Sequence, residues 1–67
     1  MKVLKVVEVL ANSDKSWEDA AQQAIKKASK SVRGIRSINI KNLSATVEND
    51  KIVQYRLNAK LTFEIED

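Results

Sequence analysis

Oxygen donors gather at two places in this 67-residue chain: Asn12, Asp14, Glu18 and Asp19 form one group, and Glu48, Asn49 and Asp50 the other. Carboxylate and amide oxygens are calcium ligands. Neither group follows the spacing of an EF-hand loop, however. Turn formation and helix capping account for both, so no metal ligand is assigned to them. The alternative is a site that combines oxygens from two chains at a subunit interface. Lys26, Lys27, Lys30 and Arg33 make a cationic group that would suit a phosphate backbone. The same charges at the end of a helix complement its dipole. With one Trp, one Tyr and one Phe in the chain, little is available to stack on bases. The group is therefore read as a solvated helix face, with a small nucleic-acid-binding domain as the rival reading. Histidine and cysteine are absent, which removes the commonest general base, a nucleophilic thiol, disulfides and thiolate metal sites. No carboxylate pair shows evident burial, so catalysis is not expected.

The elements that would position these groups follow from periodicity. Residues 52–65, IVQYRLNAKLTFEI, alternate without a slip. Val53, Tyr55, Leu57, Ala59, Leu61, Phe63 and Ile65 fall on one face, and a mostly polar set falls on the other. That is a strand with one buried face. Lys2–Ala11 reads as a first strand, with Val3, Val7 and Val9 on one face and Leu4, Val6 and Leu10 on the other. Two apolar faces suggest cover on both sides. Ser16 reads as a helix N-cap, with Asp19 completing a short capping box. The helix is expected over about Trp17 to Arg33, with an alanine-rich stripe that lets it approach a sheet closely. Gly34, the only glycine, is expected to end that helix in the left-handed conformation. Residues 36–48 read as a second strand with a slip of phase near Lys41-Asn42, expected to be a bulge. Glu48-Asn49-Asp50-Lys51 reads as a hairpin turn.

The order β-α-β-β predicts an α+β fold in one domain, residues 1–67: a three-stranded antiparallel sheet packed on one helix. Placing the last strand in the middle pairs every neighbour antiparallel and gives a right-handed crossover. Trp17 and Tyr55 are expected to serve as core or subunit-contact residues. The last strand would run roughly 45 Å at about 3.3 Å per residue, whereas a compact domain of this size is about 30 Å across. Such a strand outgrows its own subunit, so homo-oligomerisation is expected, in place of the disulfide or metal that usually staples a chain this small. The net charge is +3 and the pI about 9.4. No signal peptide is read in MKVLKVVEVL, and no apolar run approaches the ~20 residues that span a bilayer. A soluble, cytoplasmic protein with no membrane or nucleic-acid partner is expected.

Taken together, Val3-Leu4-Lys5-Val6-Val7-Glu8-Val9, Asn12-Ser13, Ser16-Trp17-Glu18-Asp19-Ala20-Ala21, Ser31-Val32 and Lys60-Leu61-Thr62-Phe63-Glu64-Ile65-Glu66-Asp67 resemble the dodecin family in order and spacing. The resemblance covers almost the whole chain. It implies a twelve-fold, hollow, non-enzymatic particle that binds, buffers or stores a small ligand. By family default that ligand is a flavin (FMN or riboflavin), stacked on a tryptophan early in the second strand and hydrogen-bonded by a glutamine in the third. The positions matching these are Ser37 and Arg56, and both depart from the pattern. Asn39 and Gln54 join them on the polar sheet face, as does Asn58. Serine supplies no stacking, whereas an arginine near a symmetry axis suits bidentate binding of phosphate or carboxylate. The chain is similar to dodecin-like proteins that lack the tryptophan, some of them described as calcium-binding. Calcium or another small ion is therefore the second ligand class implied.

Overall fold

Alternation in the last strand sets the architecture. The computed structural model describes residues 2–65, so Glu66 and Asp67 lie outside it. The elements are β1 (Val3–Ser13), α1 (Trp17–Ala28), β2 (Ile35–Glu48) and β3 (Lys51–Ile65). The sheet order is β1-β3-β2, and both pairings are antiparallel. β3 therefore lies in the middle, and the α+β arrangement is the expected one. Among the described residues, no helix is long and apolar enough to cross a membrane.

Helix α1 covers one face of the sheet, packing mainly on β1 and β3. Leu57, Ala59 and Leu61 of β3 and Ala20 of α1 are buried, with Val9, Ala11, Ala21 and Ile38 packed against them. Alanines at 20 and 21 leave no bulk between helix and sheet, so the buried volume comes from the two leucines of β3. The core is small because the molecule is long: its extents are 52 × 20 × 13 Å. Its radius of gyration, 13.8 Å, exceeds the ~11 Å of a compact chain of this length. The single chain covers only one side of β1: on the face away from the helix Leu4, Val6 and Leu10 stay more than half exposed.

The hairpin turn forms as the sequence implies. Asn49 and Asp50 have φ of 52° and 64°, the left-handed pair that a two-residue hairpin with strand-matched twist requires. The slip of phase also has its counterpart, a register shift between Ile40 and Asn42 that leaves Lys41 unpaired. Two further shifts, between Ile35 and Ser37 and between Thr46 and Val47, were not foreseen.

The helix is shorter than its pattern. It ends at Ala28 rather than near Arg33, and Ser29 is its C-cap in an ordinary right-handed conformation. Ser29 Oγ donates to the Lys26 carbonyl at 2.8 Å, so the serine competes with the helix for a backbone acceptor. Lys30 N–H and Ser31 N–H then close tight turns onto Lys27 and Ala28. The last-turn cations are Lys26 and Lys27, not Lys30 and Arg33. Gly34 has the expected positive φ, 73°, but six residues past the helix end. It turns the chain into β2, and its carbonyl accepts the Glu64 N–H at 3.1 Å. The expected apolar cap contact gives way to the pairing of Ile35 with Phe63.

Candidate functional site: the polar face of the sheet

The face of the sheet turned away from α1 carries every residue matched to the ligand site. Register places them. On β2, Ser37 lies opposite Thr62 and Asn39 opposite Lys60; on β3, Gln54 lies opposite Thr46 and Arg56 opposite Ser44. Directly paired residues of an antiparallel sheet share a face, so these four line one surface together with Asn42 and Asn58. Ser37, Asn39, Gln54 and Arg56 are all exposed.

One chain does not bring them together. Thr62, which marks the level of Ser37, is six residues along β3 from Arg56, about 20 Å at ~3.3 Å per residue. Gln54 and Arg56 form one neighbouring pair, Ser37 and Asn39 another, with Asn42 and Asn58 at the level between them and Lys60 beside Asn39. Beside this polar band, on β1, run the exposed Leu4, Val6 and Leu10.

Two contacts on this face were not read from the sequence. Arg36 donates to Glu64 Oε2 from Nε at 3.1 Å and from Nη2 at 2.8 Å. Arg56 Nε donates to Asn12 Oδ1 at 3.0 Å. Asn12 and Arg56 are directly opposite on β1 and β3, a pairing evident only once the register is known. Arg36 and Glu64 are 28 positions apart and meet at a register shift between Ile35 and Ser37, so no local pattern marks that pair.

In the first oxygen-donor group, Asn12 and Asp19 are engaged as local structure. Asn12 holds Arg56, and Asp19 Oδ2 accepts Ser13 Oγ at 2.6 Å. Ser16 Oγ accepts the Asp19 N–H at 2.9 Å. Only this half of the expected capping box forms, because the Asp19 carboxylate turns to Ser13 instead of reaching back to Ser16. Glu48, Asn49 and Asp50 are exposed around the hairpin turn. Among the described residues, no group of three or more His, Cys, Asp or Glu side chains comes together. Lys26, Lys27, Lys30 and Arg33 are all exposed, the first two on the helix and the others beyond it.

Trp17 works inside the fold. Its ring meets Tyr55 edge-on, with centroids 4.9 Å apart and planes at 79°. Its indole N–H donates to the Ser44 carbonyl at 2.9 Å, joining the first turn of α1 to the β2 edge.

This architecture has known counterparts. The calcium dodecin of Mycobacterium tuberculosis is 31% identical over 65 residues, covering 97% of this chain and 92% of that protein. Its crystal structure, described as that of a calcium-chelating antigen with a novel calcium-binding site, has a TM-score of 0.82 at 30% identity, covering 96% of this chain and 91% of that one. An arginine-to-alanine mutant of the T. thermophilus dodecin has a TM-score of 0.94 at 27% identity, covering 100% of both chains. The family model described as Dodecin matches residues 3–66, and the chain belongs to that family.

Proposed function

We propose that this chain is the subunit of a non-enzymatic homo-oligomeric shell, a homododecamer, that binds, buffers or stores a small ligand at the polar sheet face. One observation carries the reading: the chain leaves too much apolar surface open. Leu4, Val6 and Leu10 on one sheet face, Ile40 and Leu43 on β2, and Val47 and Ile52 near the hairpin turn are 44–71% exposed. Among the described residues, only four apolar residues are buried. Each large aliphatic side chain gains about 1.5–3 kcal/mol on full burial, so closing these surfaces against other copies favours assembly. Two open sheet edges act in the same direction.

Assembly also supplies what one chain lacks. Ser37 and Arg56 lie about 20 Å apart along the sheet in one copy, so a flavin ring stacked at position 37 and bonded by Arg56 would draw the two residues from different copies. By family default the ligand is FMN or riboflavin, held without an aromatic platform. The likeness to a calcium dodecin supports calcium as the second reading. With no cluster of acidic side chains among the described residues, calcium would need oxygens from several copies.

Native mass spectrometry of the protein as purified tests the reading. A mass of twelve 7.5 kDa chains, persisting at high salt and carrying a small molecule or ion, is the expected result. A well-folded single subunit at low concentration would overturn it. A monomer whose nucleic-acid affinity falls steeply with salt would replace it with the nucleic-acid reading.

A further inference from the structure

We propose that Arg56, held by Asn12, is a fork for an anionic group, a phosphate monoester or a carboxylate, on the polar sheet face. The inference deepens the small-ligand reading by assigning the charge class of what binds there. It rests on which charges face the cations of this face, only Arg36 among them being held in an ion pair among the described residues. Arg36 is bonded to Glu64 through two nitrogens. Lys60 stands directly across β1–β3 from Glu8. Arg56 differs: its cross-strand neighbours are Asn12 and Ser44, both neutral. Among the described residues, no carboxylate lies within 4.0 Å of it.

The Asn12 contact orients this charge without cancelling it. A guanidinium can only donate, so the atom of Asn12 facing Nε is its oxygen. The Asn12 amide nitrogen is then a further donor beside the guanidinium. With Nε engaged, the two Nη groups of Arg56 remain for a bidentate contact, the geometry that carboxylate and phosphate oxygens match. A divalent cation would meet an uncompensated positive charge at the same place. This part of the face therefore selects an anion over calcium, and a calcium site would lie elsewhere on the assembly.

The test is titration of the intact protein with inorganic phosphate and with succinate, at ionic strength matched by chloride, reading the thermal midpoint. Wild type, Arg56→Gln, Arg56→Lys and Arg36→Gln are compared, and each particle mass is recorded. The wild type and the Arg36 variant are expected to gain midpoint with phosphate or succinate beyond chloride; whichever anion acts identifies the group. Arg56→Gln is expected to weaken the apparent affinity about tenfold or more, and Arg56→Lys, which keeps the charge without the fork, to fall between. No anion-specific gain in the wild type, or an equal gain in Arg56→Gln, overturns the proposal. Loss of the assembled mass in Arg56→Gln also overturns it, because the guanidinium would then be paired with a neighbouring copy. Anion binding that depends on Arg56 in a monomeric protein would sustain the fork while sinking the shell.

Discussion

Ser13 Oγ donates to Asp19 Oδ2 at 2.6 Å and at the same time accepts the Lys15 N–H at 2.9 Å. One hydroxyl, 7% exposed, thus fixes the turn that joins β1 to α1. The Ser16 N–H also points to it at 3.4 Å. Ser13→Ala strands backbone donors at the joint and frees the Asp19 carboxylate. Leaving buried polar groups unmet costs about 1–3 kcal/mol. Urea unfolding should show a loss in that range, with Asp19→Asn losing less because an amide oxygen still accepts. A Ser13→Ala protein as stable as the wild type would show that the hydroxyl does not hold the joint.

Gly34 should tolerate side chains according to backbone strain rather than space. Its φ is 73°, and an added Cβ would meet the Glu64 carbonyl oxygen at 3.4 Å, ordinary contact. The left-handed conformation costs a non-glycine residue roughly 1–2 kcal/mol, and a β-branched side chain is the worst case. Thermal unfolding is expected to rank Gly34→Asn, Gly34→Ala and Gly34→Val in order of rising cost. A loss in Gly34→Ala as large as in Gly34→Val would point to a clash instead.

Trp17 ties α1 to the far edge of the sheet through its indole N–H and the Ser44 carbonyl. Trp17→Phe keeps a ring against Tyr55 but drops that hydrogen bond, which is worth about 0.5–1.5 kcal/mol. Trp17→Ala also removes the edge-on aromatic contact and should cost more. Circular dichroism in urea would measure both. Equal stability of the phenylalanine variant and the wild type would remove the hydrogen bond from the account of how helix and β2 are joined.

What could be read in advance followed from periods that one element obeys alone. Alternation over residues 52–65 needs no knowledge of the rest of the fold, and neither does the Asn49-Asp50 turn, whose residues accept positive φ. The end of the helix did not yield to the same method. Val32 and Ile35 continue the apolar period of α1, but the strand pairing takes Ile35 onto Phe63, and the Ser29 hydroxyl bonds the Lys26 carbonyl. Tertiary pairing decided between two local patterns. The polar face was legible as a set of residues, because alternation sorts Gln54, Arg56 and Asn58 together. Its internal wiring was not: Asn12 and Arg56 are 44 positions apart, and their meeting depends on a register set by the whole sheet. Sequence proximity groups Asn12 with Asp14, Glu18 and Asp19 as an oxygen donor, whereas its oxygen accepts from an arginine.

Exposed apolar residues on β1 give the assembly a direct test. Leu10 is 71% exposed and shares a face with Leu4 and Val6. Leu10→Glu leaves the core of the single chain untouched. In a monomer it should change stability by no more than about 0.5 kcal/mol. In a shell that buries this row, it places a charge in a closed apolar contact and should shift the protein to small species, visible by sedimentation velocity. If the variant sediments as the wild type does, this row is not part of a contact between copies.

Ser37 stands where the family resemblance places the residue that stacks on a flavin. It is exposed on β2 and paired with Thr62 on the polar face, so a larger side chain there meets solvent rather than core. Ser37→Trp restores the aromatic platform that family resemblance assigns to this position. Aromatic stacking adds about 0.5–1.5 kcal/mol beyond area burial, and each 1.4 kcal/mol is tenfold in affinity. Riboflavin and FMN should therefore bind the variant roughly 2- to 13-fold more tightly from stacking alone, with further gain from the buried ring area. Quenching of flavin fluorescence on titration measures this. The ratio of the two affinities adds a second constraint. If Arg56 contacts the phosphate, FMN should keep its advantage over riboflavin in Ser37→Trp and lose it when Arg56→Gln is added. A tryptophan at 37 that leaves both affinities unchanged would place the flavin, if it binds at all, away from the polar sheet face.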